Sequence, residues 1–447
     1  NHIEGMALPR GVNLIITADC GSGSHVAAKA AKKADIDIVI TDHHNIAEHF
    51  PGAVAVVNPK RPDCNAGFHT LAGVGVAFFL VVCLRAYLRE KKFWNGRAEP
   101  NLKNFCDLVA LGTVADMVPL VDENRIFTRS GLQVINSGYR RGIRALIETC
   151  NINKQFVDTD DIAYRLAPRL NAAGRVAHAN AAVELLISQD IDSARQMSAD
   201  LNAMNARRQR IEKTIMEEIL VYLKHEIPLA QKKTLVLSHQ DWHEGVLGIV
   251  ASRIAAKFYR PAALISTKHG IGKGSVRSVP GIDIHEVLTA CEDSLESFGG
   301  HSMAAGLQIR PENINRFKEQ FENATRNTAA PGAFIRGVSI DYELDFRNIS
   351  DELIDALESL QPFGAGNPEP LFMAQNVKIQ FAKIVGKNHR RLLLKQDSDS
   401  TDRAINAIQF NIDPRVAPGG KFDQIAYKLR WNRWQEKKSP QIIIEET

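Results

Sequence analysis

Two runs of apolar and β-branched residues, Val12–Asp19 and Ile36–Asp42, flank a Gly/Ser turn and an Ala/Lys-rich stretch from about Val26 to Lys33. Strand, helix and strand within about 30 residues make a βαβ unit. Strands that are apolar along nearly their whole length belong to a parallel sheet covered on both faces. Val54–Asn58 supplies a third such strand, and Leu71–Leu88 and Phe105–Val114 read as core helices. The first domain is therefore a doubly wound α/β fold, running to about residue 190.

At 447 residues the chain has room for further domains. From Ile191 to Glu226, Met197, Leu201, Met204, Ile211, Ile215, Ile219 and Leu223 recur at roughly helical spacing among many charges. This pattern predicts one long connecting helix over 191–228, with Arg207, Arg208 and Arg210 on its solvent side. A second α/β domain, 229–328, begins with the strand Thr234–Ser238, followed by the helix Gly245–Phe258 and the strand Ala262–Ser266. Over 329–447 short strands alternate with turn signals: Val377–Val385, Arg391–Lys395, Ala404–Phe410, Gln424–Leu429 and Gln441–Ile444. They predict a small β-barrel.

Several classes are excluded. The longest apolar run, Leu71–Leu84, breaks at Arg85 and is too short to span a bilayer. No membrane association is expected, and nothing at the N-terminus reads as a secretion signal. The six cysteines include no CxxC pair, which argues against a zinc knuckle or a disulfide framework and suits a reducing cytoplasm.

The chemistry gathers at strand ends, where open parallel sheets hold their ligands. The first strand ends at Asp19 and the second runs into Asp42-His43-His44; a third carboxylate, Asp116, emerges from the apolar segment Ala110–Leu120. An unpaired carboxylate in such a setting calls for a cation. Carboxylates mixed with imidazole favour Mn²⁺ or a similar metal over Mg²⁺ alone. A pair of such ions would activate water and stabilise the leaving oxygen of a phosphodiester.

Charge is uneven. Residues 376–447 carry 14 Lys/Arg against 8 Asp/Glu, a net +6, which leaves −2 for the other residues. Lys383 and Lys387 lie near Phe381, and Arg430 and Arg433 alternate with Trp431 and Trp434, the pattern of a basic groove with stacking rings for single strands. Arg169, Asn171 and Arg175 bracket an Ala/Gly turn, a compact donor array for phosphate. Ser275, Arg277 and Ser278, with the Gly299-Gly300-His301 turn, offer hydroxyls, a guanidinium, an imidazole and close backbone approach.

The Asp-His-His triplet resembles the signature of the DHH phosphoesterase superfamily, and the chain is similar to its RecJ branch. The segments Asp107–Leu120, Arg165–Arg175, Trp242–Arg253, Gly274–Gly281, Phe298–Gly306 and Pro362–Pro370 carry that resemblance over essentially the whole chain. The resemblance implies a DHH domain, a DHHA1 domain and an OB-like C-terminal domain. It implies Asp19, His43 and Asp116 as metal ligands, Asp42 as an orienting residue or ligand, and His44 at the scissile phosphate. Arg169, Asn171, Arg175, Ser275, Arg277, Ser278, Gly300, His301, Lys383, Lys387, Trp431 and Arg433 are expected to bind nucleic acid.

The implied activity is single-stranded-DNA-specific exonuclease, 5′ to 3′, with Mn²⁺ or Mg²⁺, in DNA repair and recombination. Single-strand-binding protein and a helicase are the implied protein partners. The branch also supplies carboxylates from an upstream Asp-x-Asp strand, which nothing before Asp19 matches. Roughly the first quarter of such a protein is expected to be absent, leaving an incomplete metal set and the activity of the chain by itself open. The alternatives are a DHH phosphatase acting on short oligonucleotides and a non-catalytic single-strand-binding scaffold.

Overall fold

The computed structural model describes residues 3–447 apart from 47–48, 154, 227–231, 269, 397–402, 417–418 and 435–436. The side chain of Trp434 and the expected boundary at 228/229 lie outside the described residues. The chain forms two compact units. One comprises residues 1–140, 152–167 and 339–447; the other comprises 141–151 and 168–338.

The first unit opens on the predicted βαβ. Strands β1 (Leu14–Ala18), β2 (Asp37–Thr41) and β3 (Ala55–Val57) pair in parallel in that order, with Ala18 opposite Thr41 and Thr41 opposite Val57. Helix α1 (His25–Lys33) buries Ala28 and Ala31 with Ile36, Ile38, Ile40 and Val56. The sheet is not covered throughout: Leu14 and Ile16 of β1 remain exposed. Helices α2 (Gly73–Glu90), α3 (Cys106–Ala115) and α4 (Asp122–Asn136) follow. Helices α3 and α4 pack so closely that a Cβ on Gly131 would lie 2.1 Å from the Cys106 carbonyl. After α5 (Arg141–Thr149), which belongs to the other unit, the short α6 (Thr159–Asp161) returns to this one.

In the second unit, α7 (Ala167–Val176) and α8 (Asn180–Ile187) precede α9, a single helix over Ile191–Glu226 as its periodicity predicts. Ile215, Ile219 and Leu223 of α9 enter the core of a five-stranded sheet ordered β4-β5-β6-β8-β7. Its strands are β4 (Leu235–His239), β5 (Ala262–Ser266), β6 (Gly272–Arg277), β7 (Ser297–His301) and β8 (Ala304–Ile309). Helices α10 (Glu244–Phe258), α11 (Ile284–Thr289) and α12 (Ile314–Thr328) complete the unit. One expectation on α9 is corrected. Arg207 and Arg210 are exposed, but Arg208 is buried, donating to Asn205 and, at 3.2 Å, to buried Glu212. A guanidinium can leave water when a carboxylate and an amide oxygen replace it.

Residues 339–447 form the barrel, which is part of the first unit. Its elements are β9 (Tyr342–Glu343), α13 (Asp351–Ser359), β10 (Phe372–Val385), β11 (His389–Gln396), β12 (Ala404–Gln409), β13 (Lys421–Trp434) and β14 (Lys437–Glu446). Strand β10 pairs with both β11 and β13, and the ladder β11-β12-β14-β13 closes the ring; β12 and β14 are parallel. That five-stranded closure is the OB architecture. A register shift between Ile379 and Phe381 lets one long strand bend to serve both neighbours.

Candidate metal centre

The three parallel strands deliver Asp19, Asp42 and Asn58 immediately past their carboxyl ends. The ladder continues one residue beyond each pair, with Asp19 N–H donating to the Thr41 carbonyl and Asp42 N–H to the Val57 carbonyl. Asp19 adopts φ +64, a left-handed conformation costly to a residue with a side chain. Strain of that kind gathers where a side chain must be aimed. Room for that side chain comes from Gly73, the first residue of α2. A Cβ there would lie 2.2 Å from Asp19 Oδ1 and 2.6 Å from its carboxyl carbon.

His43 is buried, and its Nδ1 sits 3.0 Å from the Leu71 carbonyl. A carbonyl only accepts, so Nδ1 bears the hydrogen and Nε2 of the neutral ring presents a lone pair. That Nε2 lies 3.1 Å from Asp19 Oδ1 and 3.4 Å from Asp116 Oδ2, yet it makes no aligned hydrogen bond. A buried lone pair facing two carboxylates is the arrangement a cation relieves, and a ring N–H held by a backbone carbonyl is how metal-binding imidazoles are oriented.

The carboxylates make the field at this point negative, which favours any positive charge there, a proton on His43 or a bound cation. The Asp19 carboxylate raises the His43 pKa, with Asp116 adding to it and burial opposing. Burial raises Asp116; His43 opposes that shift and the Asp19 charge reinforces it. Asp19, His43 and His44 each offer one ligand atom within 4.8 Å of the others. A carboxylate with two imidazoles, and the Asp116 carboxylate 3.4 Å from His43 Nε2, fit a borderline divalent ion.

Asp42 has a different place. It is buried, and its carboxylate accepts from Ser22 N–H at 2.8 Å, from His43 N–H at 2.8 Å and from His44 N–H at 3.2 Å. His44 Nδ1 is 2.7 Å away. Burial works to raise its pKa, but the bonds from Ser22 and His44 outweigh that and hold it well below the usual carboxylate range. These four bonds occupy both oxygens of Asp42 and tie His44 to it. His44 is half-exposed, with Nε2 free to meet a substrate oxygen. Asn58, unnoticed in the sequence, ties Ser22 Oγ to the His44 carbonyl at 2.9 Å each. Its only sequence signal is its place at the third strand end.

The second unit gathers the phosphate-binding candidates of β6 and β7 in rows. Arg277 pairs with Ala304, which pairs with His301; Ser275 pairs with Gly306, which pairs with Gly299. Directly opposed residues project to one face. On that face Gly248 of α10 makes room, since a Cβ there would lie 2.8 Å from Arg277 Nη2. Arg175 donates to the Gly245 carbonyl at 3.2 Å. Burial lowers the Arg277 pKa and the Arg175 charge lowers it further. Burial likewise lowers Arg208; Glu212 opposes, and Arg175 and Arg253 add to the shift. Arg208 at 3.2 Å and Arg253 at 2.6 Å share the Glu212 carboxylate, and the Arg175 charge acts on both Arg208 and Arg277, a cationic cluster suited to phosphate.

Arg169 donates to Asn202, and Asn171 is exposed on α7. Ser278 is turned inward, donating to the Ile282 carbonyl at 2.8 Å. Gly300, at φ +152, sits where a Cβ would lie 2.4 Å from the Ala304 carbonyl; that close approach between β7 and β8 accounts for the glycine.

On the barrel, Lys383 and Lys387 are exposed beside half-exposed Phe381, at the β10–β11 turn. Among the described residues no carboxylate pairs with either lysine. One other expectation is corrected. Trp431 is buried in the barrel core, its Nε1 donating to Asp355 at 2.8 Å and Lys438 Nζ over its ring, so it has no face to offer a base. Arg433 is exposed but donates through both terminal nitrogens to Glu358. Trp431 and Arg433 lie two residues apart on β13 and share a face, where Glu358 of α13 meets the guanidinium, while Arg430 on the opposite face pairs with Glu369 and Asp160.

Three family models match the chain: the DHH family N-terminal domain over 3–113, the DHHA1 domain over 231–327 and the RecJ OB domain over 340–446. The single-stranded-DNA-specific exonuclease RecJ of Salmonella typhimurium is 37% identical over 100% of this chain and 79% of its own length. That of Escherichia coli is 36% identical over 99% of this chain and 78% of its own. The crystal structure of RecJ in complex with Mn²⁺ from Thermus thermophilus matches with a TM-score of 0.81 at 29% identity, covering 98% of this chain and 62% of that one. The complex with Mg²⁺ matches at 0.74 and 28% identity, covering 98% and 68%. Alike in sequence from end to end and in the order of its three domains, this chain belongs to the RecJ family.

Proposed function

We propose that the chain is a metal-dependent exonuclease specific for single-stranded DNA. The observation that carries this reading is the buried, unbonded Nε2 of His43 facing Asp19 and Asp116 in a chain that also holds an OB barrel. Asp19, His43 and Asp116 would hold Mn²⁺ or Mg²⁺. Bound there, such an ion supplies charge stabilisation at the phosphodiester and activation of water.

The chain's own residues supply the rest. Asp42 fixes the hydrogen on His44 Nδ1, which aims Nε2 at a phosphate oxygen. Arg175, Arg277, Ser275 and His301 would take phosphates of the strand, with Arg169 and Asn171 adding donors and Gly300 shaping the turn. Lys383, Lys387 and Phe381 would track the strand farther along, through charge and one stacking ring. Ser278 and Arg433 would act by shaping neighbouring backbone and carboxylates. The DHH domain (1–190) would cut, the DHHA1 domain (229–328) grip and the C-terminal domain (329–447) guide. Polarity of 5′ to 3′, a role in repair and recombination, work beside a single-strand-binding protein and a helicase, and a cytoplasmic location belong to the same reading. Among the described residues no helix is long and apolar enough to cross a membrane.

The test is digestion of a labelled 40-mer, single-stranded or duplexed, with Mn²⁺. Shortening of the single strand alone, abolished by Asp116→Ala, is the expected result. Equal cutting of duplex, or full activity in the variant, would refute it.

A further inference from the structure

A centre built from β1, the β2 end and the α3 end needs its loops held in register, and one side chain outside it does this. Asn124, in the first turn of α4, is fully buried. Its Nδ2 donates both hydrogens to backbone carbonyls, to Thr70 at 2.6 Å and to Pro119 at 2.9 Å. Thr70 immediately precedes Leu71, whose carbonyl orients His43 through Nδ1. Pro119 lies three residues after Asp116, on a stretch that leaves α3 through Met117 at φ +60. The same stretch is held once more at Leu120, whose N–H donates to the Ala365 carbonyl at 2.6 Å. A Cβ on Gly364 would lie 2.6 Å from the Leu120 side chain, so that strap is seated without clearance.

We infer that Asn124 is a positioning residue of the metal centre, setting the distance between His43 and Asp116 by bonding the backbone beside each. The inference rests on the metal reading proposed above. Asn124 Oδ1 is buried without a partner. A residue kept for packing alone would leave no such orphan; a doubly donating amide is what two carbonyls from separate loops require. Asn136, at the other end of α4, is the matching structural contact, pairing with Val157 in both directions away from the centre.

The experiment titrates the whole chain with Mn²⁺ alone and reads free ion by electron paramagnetic resonance, on samples whose circular dichroism equals wild type. Asn124→Asp is isosteric but removes the donors. Asn124→Ser, smaller and uncharged, serves where the carboxylate unfolds the helix. Either is expected to weaken Mn²⁺ binding by about tenfold or more, the range for residues that orient ligands. Asn136→Ala is expected to lower the melting temperature with Mn²⁺ affinity within about twofold of wild type. Asn124 variants that bind as wild type, or an Asn136→Ala that weakens binding as much as they do, would overturn the proposal and leave the metal reading standing. A wild-type chain that takes up no Mn²⁺ would overturn both.

Discussion

Gly73→Ala separates folding from function with a single methyl group. The new Cβ would lie 2.2 Å from Asp19 Oδ1, 2.6 Å from its carboxyl carbon and 2.7 Å from its Cβ. Real side chains do not approach that closely, so the carboxylate must retreat by about 1 Å, a displacement that costs on the order of a hundredfold when it misplaces a reacting group. Asp19 cannot absorb the shift through its backbone, which is held at φ +64 and bonded to Thr41. Helix propensity works in the other direction, because alanine is favoured over glycine in a helix by up to about 1 kcal/mol. The variant should therefore melt at or above the wild-type temperature while its Mn²⁺ affinity falls tenfold or more and cleavage falls with it. Calorimetry and Mn²⁺ titration on one preparation check both signs. A variant with undiminished Mn²⁺ affinity would refute the reasoning, since Asp19 would then not need the place Gly73 leaves open.

Asp19→Gly should abolish Mn²⁺ binding yet stabilise the fold by about 1 kcal/mol, because glycine adopts a left-handed conformation without penalty; a loss of stability measured in urea would contradict this. Glu322, buried on α12, accepts from Lys233 N–H, from Thr234 N–H and Oγ1, and from Arg326. Burial works to raise its pKa, but these bonds outweigh it and lower the value, so its contribution is present above the unfolded carboxylate pKa and lost as pH falls through that range. Glu322→Gln should cost about 2 kcal/mol near neutrality, and its melting temperature should fall less steeply than wild type below about pH 4.5. Lys383→Ala and Lys387→Ala should each reduce the salt slope of single-strand binding by about 0.7, the contribution of one phosphate contact. Trp431→Phe should leave that slope unchanged, because the ring is buried.

The candidate metal centre was legible as a place because Asp19 and His43 follow strands whose apolar character is plain in the sequence, so they fall at neighbouring strand ends. The barrel was legible as strands, but the use of its aromatic residues was not. A Trp beside Arg on a strand looks the same whether its ring faces solvent or core, and only closure of β10 on both β11 and β13 puts Trp431 inside. Arg208 was misplaced for a related reason: a buried guanidinium is favourable only because Glu212 and Asn205 lie one turn away or less, which helical periodicity of apolar residues does not record. Asn124, Gly73 and Gly248 carry no pattern at all, and Asn58 only its place at a strand end, since their roles consist of contacts made in the folded chain.

Diffraction from crystals grown with Mn²⁺, collected at the manganese edge, tests the central claim most directly. The account predicts an anomalous peak within ligating distance of His43 Nε2 and the carboxylates of Asp19 and Asp116, with Asp42 still bonded to Ser22 and His44. No peak at that position, or one held by Asp42 with His43 turned away, would contradict it.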